Sequence, residues 1–133
     1  MGVALDSSFL IDLMRGEGAA RVRLTRLEDE RELVSIPTPV VYELIAGTMA
    51  RRGRSESQRL AGFLSRFPTL PLDKEAAEQA AEIRAELLSL GREKPHVDVL
   101  IAGIALRNDL PLVTRDADFV DIAAATGLQI DRY

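Results

Sequence analysis

The sequence predicts an α/β fold: a central parallel sheet flanked by helices, three layers in all. Three observations predict it. Short apolar runs of strand length alternate along the chain with longer helical patterns, the order that builds parallel sheets. No internal repeat, low-complexity tract or long linker interrupts this alternation. The chain has 133 residues, 47% hydrophobic and 29% charged. That balance supports a single domain over residues 1–133 with its own core, and excludes wholesale disorder.

Each element has a local reason. Val3-Ala4-Leu5 reads as a short buried strand ending at Asp6. Ser7 and Ser8 are candidate N-caps for a helix through Met14. A second helix fits Gly18 to Arg31, with Val22, Leu24 and Leu27 apolar. Leu33 to Ile36 is the second strand. Pro37-Thr38-Pro39 breaks the chain, and Pro39 suits the first turn of a helix from Val40 to Met49. Arg51-Arg52-Gly53-Arg54 reads as a basic turn, and Ser55 with Gln58 resembles a capping box for a helix to Arg66. Thr69 to Leu72 is extended. Asp73 is placed to cap a long helix, Lys74 to Leu90, closed by Gly91. Val97 to Arg107 is a nearly apolar helix, Pro111 to Thr114 a strand, and a turn at Asp116 leads to a short helix ending at Thr126. Gly127 to Ile130 is the last strand.

Composition excludes several functions. There is no Cys, so disulfides, thiol catalysis and cysteine zinc sites are absent. No apolar run reaches the roughly 18 residues that span a membrane, and no basic stretch precedes an apolar segment at the N-terminus. These features point to the cytoplasm. Acids outnumber bases by 21 to 17, for a net charge of −4 and a pI of about 5.1. Taken alone, that balance argues against a nucleic-acid partner. Only Lys74 and Lys94 among the 17 bases are lysines. Any anion contact is therefore expected from a forked, permanently charged guanidinium.

Most acids fall on polar helix faces, but a few do not. Asp6 ends a strand, Glu43 lies within Val40–Gly47, Asp98 lies within Val97–Gly103, and Asp116 and Asp118 follow the strand Leu112-Val113-Thr114. Each has a bland reading when taken singly. Asp6 suits a turn, Glu43 an exposed stripe with Val40, Gly47 and Ala50, Asp98 a helix's first turn, and Asp116 and Asp118 a loop. Together they fall at one end of one inferred sheet, where ligands of such sheets bind. Clustered ionised carboxylates repel one another and call for a cation. Oxygen donors favour Mg²⁺ or Mn²⁺. Zinc is disfavoured, because His96 is the only histidine.

These residues also carry a resemblance. Asp6-Ser7-Ser8-Phe9-Leu10-Ile11-Asp12, Glu43-Leu44-Ile45-Ala46-Gly47, Asp98-Val99-Leu100-Ile101-Ala102-Gly103 and Thr114-Arg115-Asp116-Ala117-Asp118-Phe119 occur in that order. The whole chain resembles the PIN domain, and more narrowly the VapC toxins of VapBC toxin–antitoxin modules. The resemblance implies a PIN-like three-layer fold and a Mg²⁺- or Mn²⁺-dependent endoribonuclease that cuts a cellular RNA and arrests translation. It implies a VapB-type antitoxin covering the active site, and a homodimer or a toxin–antitoxin hetero-oligomer. The family's four acids fall on Asp6, Glu43, Asp98 and Asp116. A further acid matches Asp118, and the hydroxyl of the last motif matches Thr114. Two departures are Asp-Ser-Ser where Asp-Thr-Ser is common, which keeps a hydroxyl at Ser7, and Asp116 where Asn is common. The second leaves open whether Asp116, Asp118 or both reach the metal.

Other features are weaker. Arg115 adjoins the proposed cluster and suits a phosphate contact or the holding of an acid. Arg51, Arg52, Arg54 and Arg59 suit RNA phosphates or a plain basic turn. His96 reads as structural or exposed. Leu60, Phe63, Leu64 and Phe67 form a core stripe. In the resembled family, part of Leu10, Leu13, Met14, Leu60, Phe63 and Phe67 would face the antitoxin. Three rivals remain. One is a receiver-like phosphoacceptor domain, which lacks here an acidic pair after the first strand and a lysine after a late strand. The others are a PIN nuclease of RNA processing and a PIN protein that only binds.

Overall fold

A computed structural model describes residues 2–133. Five strands form one parallel sheet: β1 (Gly2–Leu5), β2 (Leu33–Pro37), β3 (Thr69–Leu70), β4 (Leu112–Val113) and β5 (Ile130–Asp131). Seven helices flank it: α1 (Ser7–Met14), α2 (Gly18–Asp29), α3 (Thr38–Arg52), α4 (Arg54–Leu64), α5 (Lys74–Ser89), α6 (His96–Arg107) and α7 (Asp118–Thr126). The sheet order is β3-β2-β1-β4-β5. Val3 pairs with Val34 on one side of β1, and Leu5 pairs with Val113 on the other. The chain thus builds outward from β1 to β3, then returns to lay β4 against the free side of β1. Ligand crevices form at such a reversal.

The core follows from the apolar runs. Ala4, Leu5, Ile36, Leu112 and Val113 are buried strand residues, and Phe9, Leu10, Ile101, Ala102, Phe119 and Ile122 meet them from the helices. Helix α6 is buried along most of its length. It lies close to α5 because Gly103 has no side chain. A β-carbon there would stand 2.8 Å from the Ala76 carbonyl oxygen and from the Ala80 Cβ. Asp73 caps α5 as expected, accepting from the Ala76 N–H at 2.8 Å.

Several boundaries differ from the sequence reading, each for a local reason. Helix α3 runs on through Arg51 and Arg52, and α4 starts at Arg54, so the basic turn shrinks to Gly53. Gly53 takes φ +89°, a region that favours glycine, and occupies the N-cap position of α4. Ser55 is therefore inside the helix and forms no capping box with Gln58. Ser7 and Ser8 are likewise inside α1, with Asp6 at the N-cap position. Helix α2 stops at Asp29, two residues short of Arg31, and its Val22 is 71% exposed. The final strand is displaced to Ile130–Asp131, because Gly127 caps α7 in the left-handed conformation at φ +80°. Among the described residues, no helix is long and apolar enough to cross a membrane.

Candidate active site

The site is built at the carboxyl ends of β1 and β4, the two strands that meet at the reversal. Asp6 leaves β1 and is only 3% exposed. Its Oδ2 accepts from the Thr114 hydroxyl at 2.7 Å and from the Ser8 hydroxyl at 2.9 Å. Those hydroxyls have spare lone pairs, which the loop after β4 uses. The Asp116 N–H donates to Thr114 Oγ1 at 3.0 Å, and the Arg115 N–H donates to Ser8 Oγ at 3.1 Å. Two hydroxyl side chains thereby tie the β1 acid to the backbone that presents Asp116. Thr114 is thus placed beside Asp6, and Ser7 lines a groove with Asp6.

Three carboxylates converge beside Asp6. Oxygens of Asp98, Asp116 and Asp118 lie within 4.8 Å of one another. Asp98 comes from the first turn of α6, Asp118 begins α7, and Asp116 lies in the loop between β4 and α7. The Asp118 N–H donates to Asp116 Oδ1 at 2.9 Å, which fixes the pair's relative position. Asp98 is 7% exposed. Burial, and then the charges of Asp116 and Asp6, push its carboxyl up to about 7. Burial also raises Asp6 above the ordinary carboxylate value, against the lowering effect of Thr114 and Ser8. On the far side of the cluster, Lys94 Nζ lies 2.6 Å from Asp121 and 3.6 Å from Asp118.

Glu43 is not one of the three converging acids. It is exposed on α3 and accepts a short hydrogen bond from the Ser7 hydroxyl. Glu43 itself is exposed, but Val40, expected on the same exposed stripe, is fully buried. Glu43 shares with Asp6, Asp98 and Asp116 a groove of about 1180 Å³. Gly47, Arg51 and Arg59 also line it, as do Ile11, Met14, Leu60 and Phe63. Leu60 and Leu64 are core, as expected, while Phe63 and Phe67 are half-buried and meet edge to face at 5.7 Å. Leu10 is fully buried and cannot belong to an external surface. His96 is exposed at the start of α6.

Arg115 reaches an acid outside the cluster. Its guanidinium donates to Asp12 Oδ1 at 2.8 Å, and so holds an acid. Asp12 is 3% exposed and also accepts from the Tyr133 hydroxyl at 2.6 Å. The Tyr133 ring meets Phe9 edge to face at 5.0 Å. Burial and the Asp12 carboxylate both raise the Tyr133 phenol, so it stays protonated and donating. In the sequence Asp12 stands only as the end of the first motif, with no role of its own, and nothing marks Tyr133. The available signal was an acid inside the apolar run Phe9–Leu13, the same signal that marked Glu43.

Comparison with known proteins fits this geometry. The family model described as PIN domain matches residues 3–125. Ribonuclease VapC5 of Mycobacterium tuberculosis is 34% identical over 102 residues, covering 74% of this chain and 76% of that protein. Ribonuclease VapC11 of the same organism is 30% identical over 131 residues, or 96% of each chain. The crystal structure of DNA-bound VapBC from Salmonella typhimurium matches with a TM-score of 0.84 at 25% identity, over 99% of this chain and 98% of that one. The four ordered motifs, the parallel sheet with acids at its reversal, and these full-length similarities agree: the chain belongs to the PIN-domain family, among its VapC ribonucleases.

Proposed function

We propose that this chain is a Mg²⁺-dependent endoribonuclease, with Mn²⁺ as a substitute ion, that acts in the cytoplasm as the toxin of a toxin–antitoxin pair. It cuts a cellular RNA and so stops translation and growth. The observation that carries this reading is the convergence of Asp98, Asp116 and Asp118 beside buried Asp6 at one end of an open groove. The donor set fits a hard cation: it is all carboxylate, and no sulfur or imidazole joins it. Asp118 has Lys94 at 3.6 Å on its outer side, but among the described residues Asp98 and Asp116 have no such cation, and their crowding opposes ionisation, as the raised Asp98 attests. A bound divalent ion would relieve that repulsion, and it would supply charge neutralisation at the phosphodiester and activation of water.

The side chains have distinct tasks on this reading. Asp98, Asp116 and Asp118 hold the ion, so that both acids of the last motif take part; their mutual closeness supports this. Asp6 is pinned by Thr114 and Ser8, so one carboxylate oxygen is committed to the fold while the group still faces the groove. Ser7 orients Glu43 toward the same space. No histidine need take the proton, since His96 lies exposed outside the groove lining. The whole chain serves as the catalytic unit. The VapBC complex similar to it supports a VapB-type antitoxin as partner, in a hetero-oligomer or against a homodimer of this chain.

The test has two arms. In purified protein, Asp6→Asn and Asp98→Asn should abolish Mg²⁺-dependent RNA cleavage and leave the circular dichroism spectrum unchanged. Full activity in either variant sinks the site assignment. In cells, expression should arrest growth, the neighbouring upstream reading frame should relieve the arrest, and Asp6→Asn should remove it. Arrest that persists in Asp6→Asn overturns the toxin reading.

A further inference from the structure

The groove that holds the acids also carries arginines. Arg15, Arg51, Arg52 and Arg59 line it, with Glu56 beside Arg59. Among the described residues Arg15, Arg51 and Arg52 make no ion pair, and Arg59 has only an exposed pairing with Glu56 at 3.5 Å. Arg51 has a particular posture. A β-carbon added to Gly47 would stand 3.2 Å from an Arg51 terminal nitrogen and 3.8 Å from its Cζ. The guanidinium therefore lies back along α3, over the bare backbone of Gly47. Gly47 is one helical turn beyond Glu43, about 6 Å along the axis.

We propose that Arg51 grips a phosphate of the substrate RNA next to the one that is cut, and that glycine at position 47 lets it lie there. The inference rests on the ribonuclease reading of the same groove and names the residue that sets the path of the strand. A strand whose phosphodiester sits at the acid cluster must continue along the groove on both sides of the cut. Arg51 lines the same groove as Asp6, Asp98 and Asp116, and its guanidinium lies one helical turn from Glu43, which also lines it. A planar guanidinium with no acid partner meets a phosphate with two parallel hydrogen bonds. Gly47 itself touches nothing of the RNA and acts only through the arginine.

The test uses a short single-stranded RNA of mixed sequence, with binding read by fluorescence anisotropy over a salt series in the cleavage-dead Asp98→Asn background. Arg51→Gln should weaken binding about tenfold and flatten the salt slope by about 0.7, the loss of one phosphate contact on a single strand. Gly47→Ala should weaken binding two- to threefold while raising the melting temperature, since alanine suits a helix better than glycine. The double variant should bind no more weakly than Arg51→Gln alone. Unchanged binding and slope in Arg51→Gln overturn the proposal, and so does a Gly47→Ala effect that persists without the arginine. If Arg51→Gln spares RNA binding but weakens capture of the co-expressed antitoxin, the arginine serves a protein partner and the proposal is wrong. Wild-type protein without Mg²⁺-dependent cleavage would fail the ribonuclease reading itself. Asp98-dependent cleavage with KM unchanged in Arg51→Gln would fail this inference alone.

Discussion

Replacing Asp98 with asparagine should kill the enzyme and stabilise the metal-free protein. Asp98 titrates at about 7 in the folded chain against 3.8 as an isolated side chain. The folded state therefore holds this proton more tightly than the unfolded state does. Its contribution to stability is complete below about pH 4, declines as pH rises, and is gone above about pH 7. At 1.4 kcal/mol per pH unit, ionising Asp98 in place costs up to about 4 kcal/mol at pH 8. Rearrangement of Asp116 and Asp118 and entry of water reduce this to roughly half, about 2 kcal/mol. For a chain of this size that corresponds to a melting temperature about 7 °C higher for Asp98→Asn at pH 8. The assay is thermal unfolding in EDTA at pH 5 and pH 8, repeated with saturating Mg²⁺. Wild-type protein should melt lower at pH 8 than at pH 5, and the variant should show a much smaller difference. Mg²⁺ should raise the wild type at pH 8 and leave the variant nearly unmoved. A variant that melts at or below the wild type at pH 8 in EDTA would refute the account of Asp98 as a buried acid crowded by Asp116 and Asp6.

Other perturbations test other parts of the structure. Mn²⁺ affinity, measured by calorimetry, should fall at least tenfold in both Asp116→Asn and Asp118→Asn; a fall in only one of them would show that the other acid stands outside the ion's shell. Gly103→Ala forces a methyl into the Ala76 carbonyl and Ala80, so it should cost about 1–3 kcal/mol in urea unfolding despite alanine's better helix propensity. Tyr133→Phe removes a hydrogen bond to buried Asp12 and should cost about 1–2 kcal/mol, with cleavage retained at the stabilised temperature.

The acids announced themselves because each violates a local pattern. Glu43 and Asp98 interrupt apolar helical runs, and Asp6 and Asp116 follow strands. Locality also explains what could not be read. Asp12 meets Arg115 and Tyr133 across 103 and 121 positions of sequence; Arg115 could be read as holding some acid but not as holding Asp12, and Tyr133 looks alone like an ordinary surface residue. Ser55 satisfied a capping rule, but Gly53 lets α4 begin before it, and a backbone turn outranks a favourable side chain. Gly127 sat in a strand-like run, yet its left-handed conformation ends a helix, which pushes β5 onward. Ser7 and Ser8 suited caps by type, and their hydroxyls are spent on Glu43 and Asp6. The three-acid group required α6, α7 and the loop after β4 to be brought together, which only the sheet order accomplishes.

The reversal in the sheet also sets a timetable. Strand β4 reaches the ribosome's exit long after β1, yet the two are neighbours, and Asp6 is held by Thr114 from 108 residues downstream. A nascent chain carrying Asp6, Glu43 and Asp98 still lacks Asp116, Asp118 and the hydroxyl that fixes Asp6. Asp12 waits longer, since its phenol partner lies 121 residues on. The acid cluster therefore assembles late in synthesis. Copies that end before Asp116 lack two of the three converging acids and the β5 edge of the sheet.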